Sequence, residues 1–431
     1  MSDVPSYEPQ LTSHNPPTYT SGHSYSLESK GSKWLNLHVN SPGSKPPSLP
    51  IFREGESISG QVELNLEKPE SLKGVTIEVG TRSICIRFRF ICKYYKVQAG
   101  TTAVGQEEIR FLDISETLWT PSKTQAKLSG QHSWAFEITL PKEVAVAVAK
   151  GEGRMYKLPP NFTEKASPAY IDYRLVVTVK RGAFKVNQTL SMNFAYLPKT
   201  LPDPPSELRR LAYDQGSTVC GPDLDPEGWE VLPPTSLKGT LFGVQNVEVE
   251  CTLAIATPLC YALGSPMPLF LTLKSANKQA LDILSAPAAI RVHLARSLGI
   301  GANAAESTKF GRTNNHFVTS AGQALFWDSD EQQDHVRKLQ GELEITNALK
   351  PSFVFPRFTV KLLPFSATGW RASGPENAAV LLSEQVDIAT QHTPGVLPRS
   401  TIPPGYRRPE QVNFNNTVGF LENGNQRFWH H

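Results

Sequence analysis

No apolar run in this 431-residue chain approaches the roughly 20 residues that cross a bilayer as a helix. The best stretch, Leu253 to Leu273, is cut by Pro258, Pro266 and Pro268, which excludes an integral helical membrane protein. An excess of one charge is missing too. Lys plus Arg at 43 against Asp plus Glu at 40 leaves a net +3, too even for the global footprint of a nucleic-acid binder. Cys85, Cys92, Cys220, Cys251 and Cys260 are an odd number without C-x-x-C spacing, which argues against a disulfide framework or a zinc site. Neither a metal nor a cofactor is expected. G-x-S-x-G, H-E-x-x-H, P-loop and G-x-G-x-x-G patterns are absent, and the ten histidines are scattered apart from His430-His431, which reads as a frayed chain end. A catalytic carboxylate pair is non-local and leaves no sequence signature, so an enzyme is unsupported and a non-enzyme is the reading. The first thirty or so residues lack a basic start followed by an apolar segment, so no secretory signal is visible and cytoplasmic residence is expected.

Proline, by contrast, is abundant, at 35 residues, and its placement divides the chain. Residues 1–33 are Pro, Ser, Thr, Tyr and Gly with almost no aliphatic side chains, too little apolar surface to offset the entropy of ordering, and read as a disordered tail. From Trp34 the hydrophobic period becomes two. Ile58, Val62, Leu64 and Leu66 alternate with polar neighbours, as do Val75, Ile77 and Val79, then Ile84, Ile86, Phe88 and Phe90. The alternation recurs from Trp134 to Leu140, from Ile171 to Val179 and from Phe184 to Tyr196, the last two forming a hairpin around Arg181-Gly182-Ala183. Residues 198–236 lose the period and regain proline, a linker of limited flexibility in which Ser206 caps a short helix through Ala212. Strand patterns return at Val247 to Ile255, Leu269 to Leu273, Ile290 to Leu294, Leu343 to Ile345 and Phe358 to Leu362, while charged Asp330 to Gln340 suits a helix or an exposed loop. The expected architecture is all-β: sandwiches over 34–197 and 237–385, the linker between them, and a polar, Pro-rich carboxy-terminal tail over 386–431.

Two tetrapeptides carry the main functional signal. Pro16-Pro17-Thr18-Tyr19 and Pro403-Pro404-Gly405-Tyr406 both read P-P-x-Y. In a polyproline II segment this pattern presents two prolines and a tyrosine to an aromatic-lined groove such as that of a WW domain. At the chain's own Pro and Tyr frequencies, chance supplies about 0.08 such motifs. Pro46-Pro47, Pro159-Pro160, Pro204-Pro205 and Pro233-Pro234 lack the tyrosine.

Further stretches bring a family resemblance. Glu54-Gly55-Glu56 with Gly60-Gln61-Val62, His132 to Pro141, Leu158-Pro159-Pro160-Asn161-Phe162, Tyr170 to Leu175 and Lys180-Arg181-Gly182 resemble the amino-terminal sandwich of arrestin-like proteins. Gly341 to Ile345 and Leu349-Lys350-Pro351-Ser352-Phe353 through Val360 resemble the closing strands of the carboxy-terminal arrestin sandwich. With its P-P-x-Y motifs the chain is similar to alpha-arrestins of the fungal trafficking-adaptor kind. The resemblance implies two tandem arrestin-like sandwiches that hold a transmembrane cargo protein. It also implies a WW-domain HECT-type ubiquitin ligase docked at Pro16, Pro17, Tyr19, Pro403, Pro404 and Tyr406, so that cargo is ubiquitinated, internalised and sorted at plasma membrane or endosomes. The alternatives are an arrestin-shaped structural subunit of an endosomal sorting coat, without a ligase, and a hydrolase built on a β-sandwich.

Arg87, Arg89 and Lys93 share one face of a strand whose other face is apolar, open to anionic lipid, an acidic cargo tail or solvent alone. Near the carboxy terminus, Phe420, Leu421, Phe428 and Trp429 would be costly to leave in water, and the expectation is that they dock on the body or serve another protein.

Overall fold

The computed structural model describes residues 21–86, 106–122, 127–146, 153–162, 169–182, 185–287, 289–300, 315–329, 333–356, 358–366 and 382–406. Among these, the first half of the chain forms β1 (Ser21–Ser29), β2 (Ser32–Ser41), β3 (Ile51–Arg53), β4 (Ser57–Glu70), β5 (Leu72–Ile86), β6 (Gln106–Ile109), β7 (Asp113–Trp119), β8 (Leu128–Thr139), β9 (Glu143–Val146), β10 (Arg154–Lys157), β11 (Ala169–Arg181) and β12 (Gln188–Leu197). The second half adds α1 (Glu207–Gln215), β13 (Trp229–Val231), β14 (Thr235–Leu241), β15 (Gln245–Ala256), β16 (Cys260–Ala262), β17 (Pro266–Lys274) and α2 (Lys278–Leu284). It continues through β18 (Val292–Ile300), β19 (Asn315–Gln323), β20 (Leu325–Asp328), β21 (Val336–Glu344), β22 (Phe353–Phe355), β23 (Phe358–Ser366), β24 (Leu382–Ser383) and β25 (Asp387–Ala389). The all-β class expected from the two-residue period is the observed one.

One sheet runs β1-β2-β4-β8 and another β3-β12-β11-β5, with β6 and β7 pairing along β5. Each buries alternate residues, Leu35, Leu37 and Val39 on β2 and Leu175, Val177 and Val179 on β11, which gives a half-buried strand its period. Part of the stretch read as a tail is strand, because β1 pairs along β2 from Ser21 to Ser29. Its stabilisation is a backbone ladder closed by Lys30 and Gly31, both at positive φ, the geometry of a tight hairpin turn. An inward His23, bonded to Ser44, takes a position where an aliphatic residue would have signalled a strand. The β11–β12 hairpin forms as expected, although its loop is longer than Arg181-Gly182-Ala183, since β12 begins at Gln188.

The second half pairs sheet β13-β15-β17-β21-β20, with β14 on β15, against sheet β19-β18-β23-β22. Val249, Leu253, Leu269, Leu294, Phe326, Leu339 and Leu343 share one core. Charged Val336 to Gln340 is strand, not helix or loop; Arg337 and Lys338 reach Asp282 and Asp223.

The chain divides into two compact units, one of Met1–Thr81, Leu112–Leu140 and Asp172–Tyr196, the other of Arg82–Phe111, Pro141–Ile171 and Leu197–His431. Within the second unit, Phe355 is buried edge-on against Phe111 at 4.6 Å and Tyr156 at 5.8 Å, while Phe162 meets Phe353 at 6.4 Å. The segments holding Phe111, Tyr156 and Phe162 therefore group with the later chain.

Candidate functional site

A layer of Pro-rich chain covers the face of β15, β17, β20 and β21 that points away from the second core. The 198–236 segment supplies half of it. Ser206 caps α1, accepting from the Arg209 amide as its sequence position suggested. Tyr213 and Val219 pack with Trp229, Ala254, Ala256 and Phe270. Buried Arg209 ties the segment down, donating to Thr257 O at 2.6 Å and to Gly228 O while lying 4.9 Å from the Trp229 ring centroid. The linker is thus part of the fold.

Residues 386–406, grouped in sequence with the tail, supply the other half. β25 lies parallel to β16, and Ile388 exchanges hydrogen bonds with Ser352. Thr390 then meets Thr200, each hydroxyl accepting from the other's amide, at 2.9 and 3.0 Å. Thr393 donates to Pro202 O.

Next comes Glu342 on β21, 4% exposed, on the face opposite Leu339 and Leu343 neighbours of the core. Its carboxylate accepts from Ser400 Oγ at 2.6 Å and Thr401 N at 2.8 Å. Buried carboxylates need such donors, and here they come from residues far along the chain.

Just beyond, Pro403-Pro404-Gly405-Tyr406 closes a β-turn. Tyr406 N donates to Pro403 O at 3.3 Å, with Gly405 at φ +92°. Pro at the second position and a positive-φ Gly at the third are the demands of a type II turn. The Tyr406 ring, 41% exposed, stands edge-on to buried Trp327 on β20, centroids 6.3 Å apart at 64°. Pro404 and Gly405 face solvent.

Between linker, sheet and tail is a pocket lined by Pro202, Arg209, Tyr213, Cys260, Tyr261 and His392. Its volume of about 60 Å³ falls far below the 300 Å³ or more of a drug-sized ligand site. Burial pushes the Tyr213 phenol up to about 12 and the Cys260 thiol up to about 11, and the Cys251 thiol elsewhere up to about 12. These groups stay protonated at neutral pH and make poor nucleophiles. Among the described residues, no group of three or more His, Cys, Asp or Glu is placed to hold a metal ion, and no helix is long and apolar enough to cross a membrane.

Of the residues singled out in sequence, Pro403, Pro404 and Tyr406 are thus brought onto the sheet face. Pro16, Pro17, Tyr19, Arg87, Arg89, Lys93, Phe420, Leu421, Phe428 and Trp429 lie outside the described residues. Sequence reasoning missed Trp327 and Glu342. Glu342 falls on the polar phase of its strand and reads as solvent-facing, so no local signal marks it.

Residues 47–200 match the family model described as Arrestin (or S-antigen), N-terminal domain. Residues 47–200 are arrestin-like. The match covers β3 to β12, the stretch in which Gly60-Gln61-Val62 and Tyr170 to Leu175 had suggested it. No curated protein matches the sequence. An arrestin-like domain points to an adaptor-like role in trafficking.

Proposed function

We propose that this arrestin-like protein recruits a WW-domain HECT-type ubiquitin ligase to transmembrane cargo proteins, promoting their ubiquitination, endocytosis and sorting. It acts from the cytoplasm and is recruited to plasma membrane or endosomes. The observation that carries the reading is the P-P-x-Y motif of residues 403–406, with Pro404 and Tyr406 exposed; the sequence repeats the motif at Pro16, Pro17 and Tyr19. The mechanism is proximity: two weak sites on one chain gain avidity for a ligase that carries several WW modules, raising its effective concentration at the cargo. Arg87, Arg89 and Lys93 are proposed to face anionic lipid or cargo, and Phe420, Leu421, Phe428 and Trp429 to dock on the body. Replacing Tyr19 and Tyr406 together by Ala abolishes ligase pull-down and leaves the thermal melt unchanged; ligase retained by the double variant rejects the role. The folding of Pro403 to Tyr406 against Trp327 favours, as second reading, a sorting-coat subunit in which this segment is structural. Purification with stoichiometric coat partners in place of a ligase selects that reading.

A further inference from the structure

The carboxy-terminal P-P-x-Y does not have the backbone that a WW groove accepts. A polyproline II segment keeps φ near −75° at every residue and has no internal hydrogen bonds. Here Gly405 is at φ +92° and the Tyr406 amide is bonded back to Pro403 O. The two backbones are mutually exclusive. The side chains conflict as well, because the Tyr406 ring that would enter a partner's groove is the ring that lies against Trp327.

Upstream, Glu342 holds Ser400 and Thr401, so the motif is fixed at both ends. The hold is selective for the turn. A Cβ on Gly405 would meet nothing within 4 Å, so the demand for glycine there comes from φ alone and not from space.

We infer that the face formed by Glu342 and Trp327 is an intramolecular docking surface for residues 400–406, competing with WW modules for the carboxy-terminal P-P-x-Y. The inference rests on the ligase reading and adds its regulation. Only the fraction of molecules with the turn released binds, and the apparent affinity is reduced by that fraction. Anything that releases Ser400 and Thr401 from Glu342, or withdraws Trp327, then exposes the motif. The latch also distinguishes the two motifs. Pro16 to Tyr19 carries Thr18 where the carboxy-terminal motif has Gly405, and a β-branched residue resists positive φ.

The test is calorimetric titration of an isolated WW module into the full chain carrying Tyr19→Ala, so that only the carboxy-terminal motif reports. A synthetic peptide of residues 398–409 serves as the unlatched reference. The peptide is expected to bind at least about fivefold tighter than the chain. Adding Gly405→Ala to the chain disfavours the turn by about five- to thirtyfold and recovers up to that much affinity, while the same change in the peptide has little effect. Trp327→Ala should act in the same direction, and Gly405→Ala, at the surface, covers the case in which loss of the tryptophan unfolds the sheet. Equal affinities for peptide and chain, or no gain from Gly405→Ala, overturn the latch and leave the ligase reading standing. A peptide that does not bind at all overturns both.

Discussion

Thr200 and Thr390, 190 residues apart in the sequence, satisfy each other's backbone amides through their hydroxyls, at 3.0 and 2.9 Å. The pair joins the Pro-rich segment that precedes the second sandwich to the one that follows it, and Gln391 N adds a bond to Thr200 O at 3.1 Å.

Because each hydroxyl serves the other residue's amide, the two side chains should behave as a unit. Thr200→Ala and Thr390→Ala are each expected to lower stability by about 1–2 kcal/mol, since each strands a part-buried amide. The double variant should fall short of their sum by at least about 0.5 kcal/mol in urea melts. Thr→Ser at either position keeps the hydroxyl and should restore most of the loss. Strict additivity would show that the pairing carries no energy.

Gly60 sits where β2 and β8 flank β4, and a Cβ there would lie 2.0 Å from His38 O and 2.9 Å from Phe136 Cζ. Backbone on one side cannot yield without breaking the ladder. Gly60→Ala is expected to cost about 3 kcal/mol. Gly80, on β5, has nothing within 4 Å of its Cβ position and Gly80→Ala should stay within about 0.5 kcal/mol of wild type. Chemical denaturation of the two variants, measured side by side, checks the contrast.

His293 on β18 is pushed down to about 4, first by burial and then by the Arg291 charge. The unfolded chain takes up this proton near pH 6.5, the folded one only near pH 4. Unfolding therefore binds a proton across that window, and stability falls as pH drops from about 6.5 towards 4. The contribution is present in full above the window, and its loss levels off below it. The slope is bounded at about 1.4 kcal/mol per pH unit and is reduced by the partial exposure of the ring. His293→Gln should flatten the profile between these limits; an unchanged slope would assign the acid sensitivity to other groups.

What was legible in sequence was local. Leu64 and Leu66, Val75 to Val79 and Ile171 to Val179 alternate because one face of each strand is buried, and burial of one face writes itself into a two-residue period. Ser206 announced its helix because a cap needs only the next three residues. β1 was missed because hydrogen bonds to β2, not aliphatic side chains, hold it. The strand nature of Val336 to Gln340 was hidden by Arg337 and Lys338, whose partners Asp282 and Asp223 are distant in sequence. The site followed the same division. Its prolines and tyrosine form a motif readable in four residues, whereas the surface that receives them consists of Trp327 and Glu342, single residues on separate strands whose meaning comes only from the fold.

The Thr200–Thr390 clasp has a mechanical corollary. The last strand ends beside the point where the chain enters the second sandwich, so a pull from the carboxy-terminal side loads Ser400 and Thr401 on Glu342, then Thr393 on Pro202, then the Thr200–Thr390 pair, before it reaches any strand ladder. Those bonds yield at low force, and the sheets behind them bear tension only after the carboxy-terminal segment has peeled away.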